Sequence, residues 1–205
     1  MTVVWMIGRT PCPNALRKSP QNLLTAASAQ AQISLSTVTI GNAGNAADST
    51  TGYGAVGYSY NIGTTEVTLT QYTAFLNAVA ATDTYGLYNT SLGTDLNIKG
   101  IVRSGSSGAF SYAVSGSGAR PVTYVSWYDA ARFTNWLGNG QPTGLQTSGT
   151  TETGAYTLTG NTGNPTKNGG ASYWVPSEDE WYKPISGDGA RETRETRERR
   201  NPSAG

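Results

Sequence analysis

Twice in this chain a short apolar run gives way to a serine, and an acidic residue follows three positions later. The two stretches are "ARPVTYVSWYDAARFTNWLGNG" and "ASYWVPSEDEWYK". The pattern constrains the fold more than any other feature, because it places the start of a helix to within a residue. Ser126 accepts amide protons at a helix start, and Asp129 reaches back to complete a capping box. Trp127, Ala130, Phe133 and Leu137, flanked by Trp136, then form an apolar stripe, and Gly138-Asn139-Gly140 stops the helix. Pro121 to Val125 reads as the strand leading in. In the second stretch a strand ends at Val175 before Pro176, and Ser177 with Glu180 form another capping box. Glu178, Asp179 and Glu180 favour the positive helix end. Trp181 is expected to face the core. Pro184 removes an amide donor and biases Lys183 away from helical angles, so this helix is expected to run at most about two turns.

A third helix is read in "YSYNIGTTEVTLTQYTAFLNAVA". Tyr58, Tyr60 and Ile62 alternate as a half-buried strand. Thr68 or Thr70 then caps a helix whose Tyr72, Phe75, Leu76 and Val79 recur at helical spacing. Residues 33–57 begin with a weakly alternating strand (Ile33, Leu35, Val38, Ile40) and loosen into a long turn. Residues 81–119 read as a loop or hairpin region with apolar islands at Ile98, Ile101-Val102, Phe110 and Tyr112. Residues 141–170 read as a long polar loop around a short strand at Ala155–Leu158.

Composition narrows the chemistry. Among 205 residues there is no histidine, which removes histidine bases, histidine-paired nucleophiles and histidine metal ligands. The one cysteine, Cys12, can form neither an internal disulfide nor a thiolate metal site by itself. The net charge of +1 supplies no field for nucleic acid or a membrane surface, and no apolar run is long enough to span a bilayer. The charged fraction, 13%, is about half the usual value. Much of it lies after Pro184, in "RETRETRERR", whose acids nearly cancel its arginines. That leaves a neutral body rich in Gly, Thr, Ser, Asn and Tyr, a composition expected of an exported protein, periplasmic or extracellular. Residues 1–32 read as a leader or degraded signal peptide. Arg9, Arg17 and Lys18 precede "NLLTAASAQAQ", with small-x-small steps at Ala27-Ser28-Ala29 and Ala29-Gln30-Ala31. Residues 184–205 read as a charged disordered tail, or as a frame-shifted translation of a repeat.

Three blocks resemble one family in order and spacing. Glu66-Val67-Thr68, Gln71-Tyr72 and Phe75 match its "EVT…QY..F" helix start. Pro121-Val122, Val125-Ser126-Trp127, Asp129-Ala130 and Trp136-Leu137 match "PV..VSW.DA..F..WL". Val175-Pro176-Ser177-Glu178 and Glu180-Trp181 match "RLP.E.EWE". The chain thus resembles the N-terminal half of the sulfatase-modifying factor family, whose best-known members are formylglycine-generating enzymes, over residues 58–183. The resemblance implies an irregular α+β fold of the C-type-lectin-like kind, loop-rich, with short strands and two or three short helices, truncated here to a partial domain at 33–183. It also implies a reaction that oxidises a sulfatase cysteine with oxygen, copper and a cysteine pair, and it implies calcium binding. The segments carrying those functions in the family, such as "GNV.EW" and "RGGSW", have no counterpart in this sequence. No catalytic, cofactor-binding or metal residue is therefore assigned, and no copper or calcium is expected in this chain.

The remaining polar and aromatic residues have structural explanations. Trp127, Trp136, Trp174 and Trp181 are expected in the core rather than along a sugar or peptide groove. Asp129, Glu178 and Glu180 are expected as helix-capping acids rather than catalytic groups, and Glu66 as structural. Asn89-Thr90-Ser91 fits a glycosylation sequon that occurs often by chance. The function expected is that of a sulfatase-modifying-factor-like protein without oxidase activity. The alternatives are a secreted lectin-like module for an unknown protein or carbohydrate ligand, and a non-functional fragment. Apolar faces left without partners, notably around Trp181, are expected to favour aggregation.

Overall fold

The computed structural model describes residues 8–9 and 32–186. The rest of the leader segment, and the tail from residue 187, lie outside the described residues. The elements, in order, are β1 (Gly8–Arg9), β2 (Thr37–Ile40), β3 (Tyr60–Gly63), α1 (Leu69–Val79), α2 (Ser91–Thr94), β4 (Ile101–Ser104), β5 (Ser111–Val114), α3 (Trp127–Gly138), β6 (Tyr173–Trp174) and α4 (Glu178–Ile185). Short antiparallel strands mixed with four helices make this an α+β arrangement. The fourth helix is α2, one turn inside the stretch read as loop or hairpin. None of the described helices is long and apolar enough to cross a membrane.

Four strands form one sheet in the order β2-β3-β1-β6. Ile40 pairs with Tyr60 across β2 and β3, Arg9 pairs with Asn61, and Gly8 pairs with Trp174. Residues 8–9, read from sequence as leader, thus stand between β3 and β6. The hairpin of β4 and β5 forms a separate sheet with Ser104 opposite Ser111. Its turn requires glycine at 105, where φ is +86° and a Cβ would sit 2.5 Å from the Ala109 carbonyl oxygen.

All three longer helices begin as their sequences dictate. Thr68, Ser126 and Ser177 each accept the amide of the residue three ahead. Gln71, Asp129 and Glu180 each return a hydrogen bond to the cap amide. Helix α3 lies between two cores. Phe133 and Trp136 join Tyr72 and Phe75 of α1, with ring centroids 5.2–6.1 Å apart. Ala131 packs instead with Tyr60, Ile62, Tyr156 and Trp174 under the sheet.

The third side of α3 departs from an amphipathic stripe. Every residue from Asp129 to Leu137 is buried, polar ones included. The loop of residues 141–170 wraps that side and supplies the partners of Arg132 and Asn135, while Thr134 donates to the Ala131 carbonyl of its own helix. Asn135 donates to the Thr151 and Tyr156 carbonyls and accepts the Tyr156 amide. This replaces the strand predicted at Ala155–Leu158. The segment is buried, but its backbone is bonded to a helix side chain rather than to a strand. The strand predicted at Pro121–Val125 is also absent apart from one bridge, Pro121 to Thr68. Tyr124 has φ +55°, a left-handed conformation that a strand cannot contain.

Helix α4 differs from expectation in two ways. It continues through Pro184 to Ile185, and Trp181 is exposed while Glu180 and Lys183 are buried. The proline removes the amide that would bond to the Glu180 carbonyl. The hydroxyl of Tyr60, on β3, donates to that carbonyl instead. The Lys183 ammonium donates to the carbonyls of Asn42 and Val56, at 2.8 and 3.4 Å. The expectation of four buried tryptophans therefore holds for Trp136 and Trp174 only. Trp127 is over a third exposed, resting edge-on against Tyr128 and Tyr156.

Candidate functional site

An open cleft of about 620 Å³ lies at the N-terminal end of α3, walled by Tyr85, Tyr88, Asn89, Tyr124, Asp129 and Asn161. Three distant segments build it. The first is the turn at 83–90. Asp83, itself at φ +54°, accepts the amides of Leu87 and Tyr88 and pairs with Arg103 at 3.5 Å. That carboxylate fixes where Tyr88 stands, while Gln146 Oε1 accepts the Tyr85 amide at 3.0 Å. Arg103 lies over the rings of Tyr88 and Phe110, 4.8 and 4.3 Å from their centroids.

The second segment is the entry to α3. The left-handed Tyr124 is held by its hydroxyl, which donates to Asp95 at 2.5 Å, while the other oxygen of Asp95 accepts the Asn97 and Ile98 amides. A bulky residue in this region costs on the order of 1–3 kcal/mol, and such strain clusters at functional sites. Asp129 follows. It closes the capping box through one oxygen, Oδ2, which accepts from the Ser126 amide at 2.9 Å and its hydroxyl at 2.7 Å.

The third segment is the loop at 152–161, joined to α3 beneath the cleft. Arg132 is fully buried and bidentate to Glu152, at 2.7 and 2.9 Å. It also donates to Asn161 Oδ1 and the Gly160 carbonyl, and it stacks 4.2 Å from the centre of the Tyr85 ring. Arginine suits this place because its planar fork matches a carboxylate and an aromatic face together. An arginine inside the apolar stripe of "DAARFTNW" was the sequence signal for this pair. Its partner Glu152, in the polar loop, carried none.

Burial pushes the Asp129 carboxyl up to about 6 from 3.8, opposed by the Ser126 hydrogen bonds and by Arg132. The folded state then holds this proton more tightly than the unfolded chain. The contribution to stability is full below the unfolded value and is lost as pH rises through about 6. The shift corresponds to about 2–3 kcal/mol. Urea unfolding at pH 4 and pH 7 should show that loss in the natural protein. Asp129→Asn, which keeps an oxygen for the Ser126 amide, should show little pH dependence across the same interval.

A second polar cluster lies under the sheet. Glu180 accepts from Trp174 Nε1 with both oxygens at 3.0 Å, from the Tyr58 hydroxyl at 2.6 Å and from the Ser177 amide at 2.7 Å. Lys167 approaches it at 3.6 Å and covers the Trp174 ring. Asp179 accepts the Gly54 amide, and Glu178 points to solvent. Every acceptor on Glu180 is committed, so this is a structural hub that ties α4 to the sheet. Asp129 and Glu180 are thus capping acids as predicted, and Asp129 in addition walls the cleft. Glu66 is half-buried and lines neither the cleft nor the hub.

Among the described residues no group of three or more Cys, His, Asp or Glu side chains is placed to hold an ion. The chain's one cysteine, Cys12, lies outside them.

The fold and cleft define a small α+β domain organised around a buried, doubly capped central helix. The family model for the sulfatase-modifying factor enzyme 1-like domain matches residues 29–201, and the chain belongs to that family. The matched range is wider than the motif blocks at 58–183 and includes most of the charged segment after Pro184. No curated protein and no solved structure matches the chain.

Proposed function

We propose that this chain is a non-oxidising, ligand-binding member of its family, built on the family's C-type-lectin-like fold and acting outside the cytoplasm. The observation that carries this is the cleft itself. Among the described residues its walls are chiefly aromatic rings, amides, hydroxyls and one buried carboxyl, with no sulfur. Its volume is that of a small-molecule or side-chain site, and its few polar groups converge as binding groups do. The oxidation implied by the family resemblance uses a cysteine pair, and these 205 residues hold one cysteine. The export part of the proposal is supported by the neutral body rich in Gly, Ser, Thr and Asn.

The test is direct. The purified chain, supplied with copper and oxygen, is incubated with a sulfatase peptide containing the target cysteine. Mass spectrometry should return the peptide with its cysteine intact, while a complete family enzyme converts it under the same conditions. Enzyme-dependent formylglycine from this chain overturns the proposal.

A further inference from the structure

We propose that the cleft at the start of α3 is a site for an organic cation, an ammonium group carried on alkyl carbon, received by Asp129 between the rings of Tyr85 and Tyr124. The proposal rests on the binding reading above and specifies its ligand.

The first ground is the state of the Asp129 carboxyl. The residue is 7% exposed, and its Oδ2 takes both bonds from Ser126. Among the described residues nothing donates to Oδ1, although the side chain lines the cleft. That oxygen is open to the cleft rather than sealed in the interior, so a ligand donor or cation can reach it there.

The second ground is charge. Four carboxylates stand at or beneath the cleft: Asp83, Asp95, Asp129 and Glu152. Against them stand Arg103, paired with Asp83, and Arg132, paired with Glu152. Asp95 and Asp129 are left over. The Asp95 charge is taken up by Tyr124 and two amides, whereas among the described residues no cation bonds to Asp129 and only Arg132, paired with Glu152, acts on it through space. The positive end of α3 offsets about half a charge, so the cleft stays negative. No lysine lines it. An anion is disfavoured, and a neutral sugar would leave the charge uncompensated.

The third ground is the rings. A guanidinium already lies on Tyr85. The Tyr124 hydroxyl donates to a carboxylate, which enriches that ring in electron density. Such faces hold a desolvated ammonium well.

The ammonium could belong to a free alkylamine or to a lysine side chain of another protein, and two probes separate these sources. The full chain, labelled with nitrogen-15, is titrated with tetramethylammonium chloride and with n-butylammonium chloride, against sodium chloride at equal ionic strength. Saturable shifts confined to the amides around Tyr85, Asn89 and Tyr124 are expected with at least one probe. Preference for n-butylammonium points to a lysine side chain, and preference for tetramethylammonium to a free alkylated amine. Asp129→Asn should weaken binding by about tenfold or more, the loss of a charged hydrogen bond. Asp95→Asn keeps an acceptor for the Asn97 and Ile98 amides, and it should weaken binding a few-fold through charge alone. Shifts no larger than those from sodium chloride would overturn the proposal, and so would affinities unchanged by Asp129→Asn. Saturable shifts from methyl α-glucoside, with none from either cation, would overturn the cation assignment and leave the binding reading standing. Formylglycine production in the oxidation assay is the separate result that would overturn that reading.

Discussion

Replacing Glu152 by alanine should cost about 3–5 kcal/mol of folding stability, the largest effect expected of any single polar substitution here. Arg132 has no exposed surface, and two of its nitrogens bond to Glu152. Its remaining contacts are Asn161, the Gly160 carbonyl and the Tyr85 ring, none of which carries charge. Without Glu152 a buried guanidinium loses its directly bonded carboxylate, and only the more distant Asp129 is left to offset its charge. Desolvation, rather than the lost attraction alone, sets the size of the effect. It follows that Arg132→Met combined with Glu152→Gln should be much less harmful than Glu152→Ala by itself. Urea unfolding of the three proteins checks this. A cost below about 1 kcal/mol for Glu152→Ala would mean that the pair behaves as an exposed one.

Glu180→Ala should cost about 3 kcal/mol. Two losses add. The buried Trp174 N–H loses its acceptor, worth about 1–3 kcal/mol. Helix α4 loses the returning half of its capping box, worth about 1 kcal/mol. Tyr58 is nearly half exposed, so its hydroxyl can turn to water. Lys167 is 36% exposed and contributes little through the ion pair. Glu180→Gln still offers an oxygen to Trp174 or Ser177 and should recover part of the loss. Thermal melts of both variants, followed by near-ultraviolet circular dichroism of Trp174, measure the difference. Equal stability of the alanine and glutamine variants would mean that these acceptor bonds contribute nothing.

The capping boxes were legible because they are local. A hydroxyl and an acceptor three residues apart, ahead of an apolar run, describe one turn of helix and need no distant partner. Thr68, Ser126 and Ser177 accordingly start α1, α3 and α4 where the sequence places them. What surrounds those helices was not legible. Trp181 is the large apolar residue of its segment, yet the space beside α4 is lined by the Asn42 and Val56 carbonyls and the Trp174 indole N–H. That space accepts Lys183 and Glu180 instead. Pro184 stops a helix on local grounds, but here the Tyr60 hydroxyl, from a strand more than a hundred residues away, serves the carbonyl left free. Tyr124 sits in a run with strand propensity, and its left-handed turn goes with a hydroxyl bond to Asp95, in a segment the local sequence does not specify. The cleft was hidden for the same reason. Tyr85, the pair Tyr124 and Asp129, and Asn161 come from three separated segments, and Asp129 announces itself in sequence only as a cap.

A preformed cleft assembled from such distant segments requires that residues 32–186 unfold together. The measurement that bears on this most directly is urea unfolding of the whole chain, read in parallel by tryptophan fluorescence and by far-ultraviolet circular dichroism. With Trp136 in the α1–α3 core and Trp174 under the sheet, the two probes should give one coincident, sigmoidal transition. Separate midpoints, or a gradual slope from the first addition of urea, would contradict a single cooperative domain and remove the basis for a built binding site.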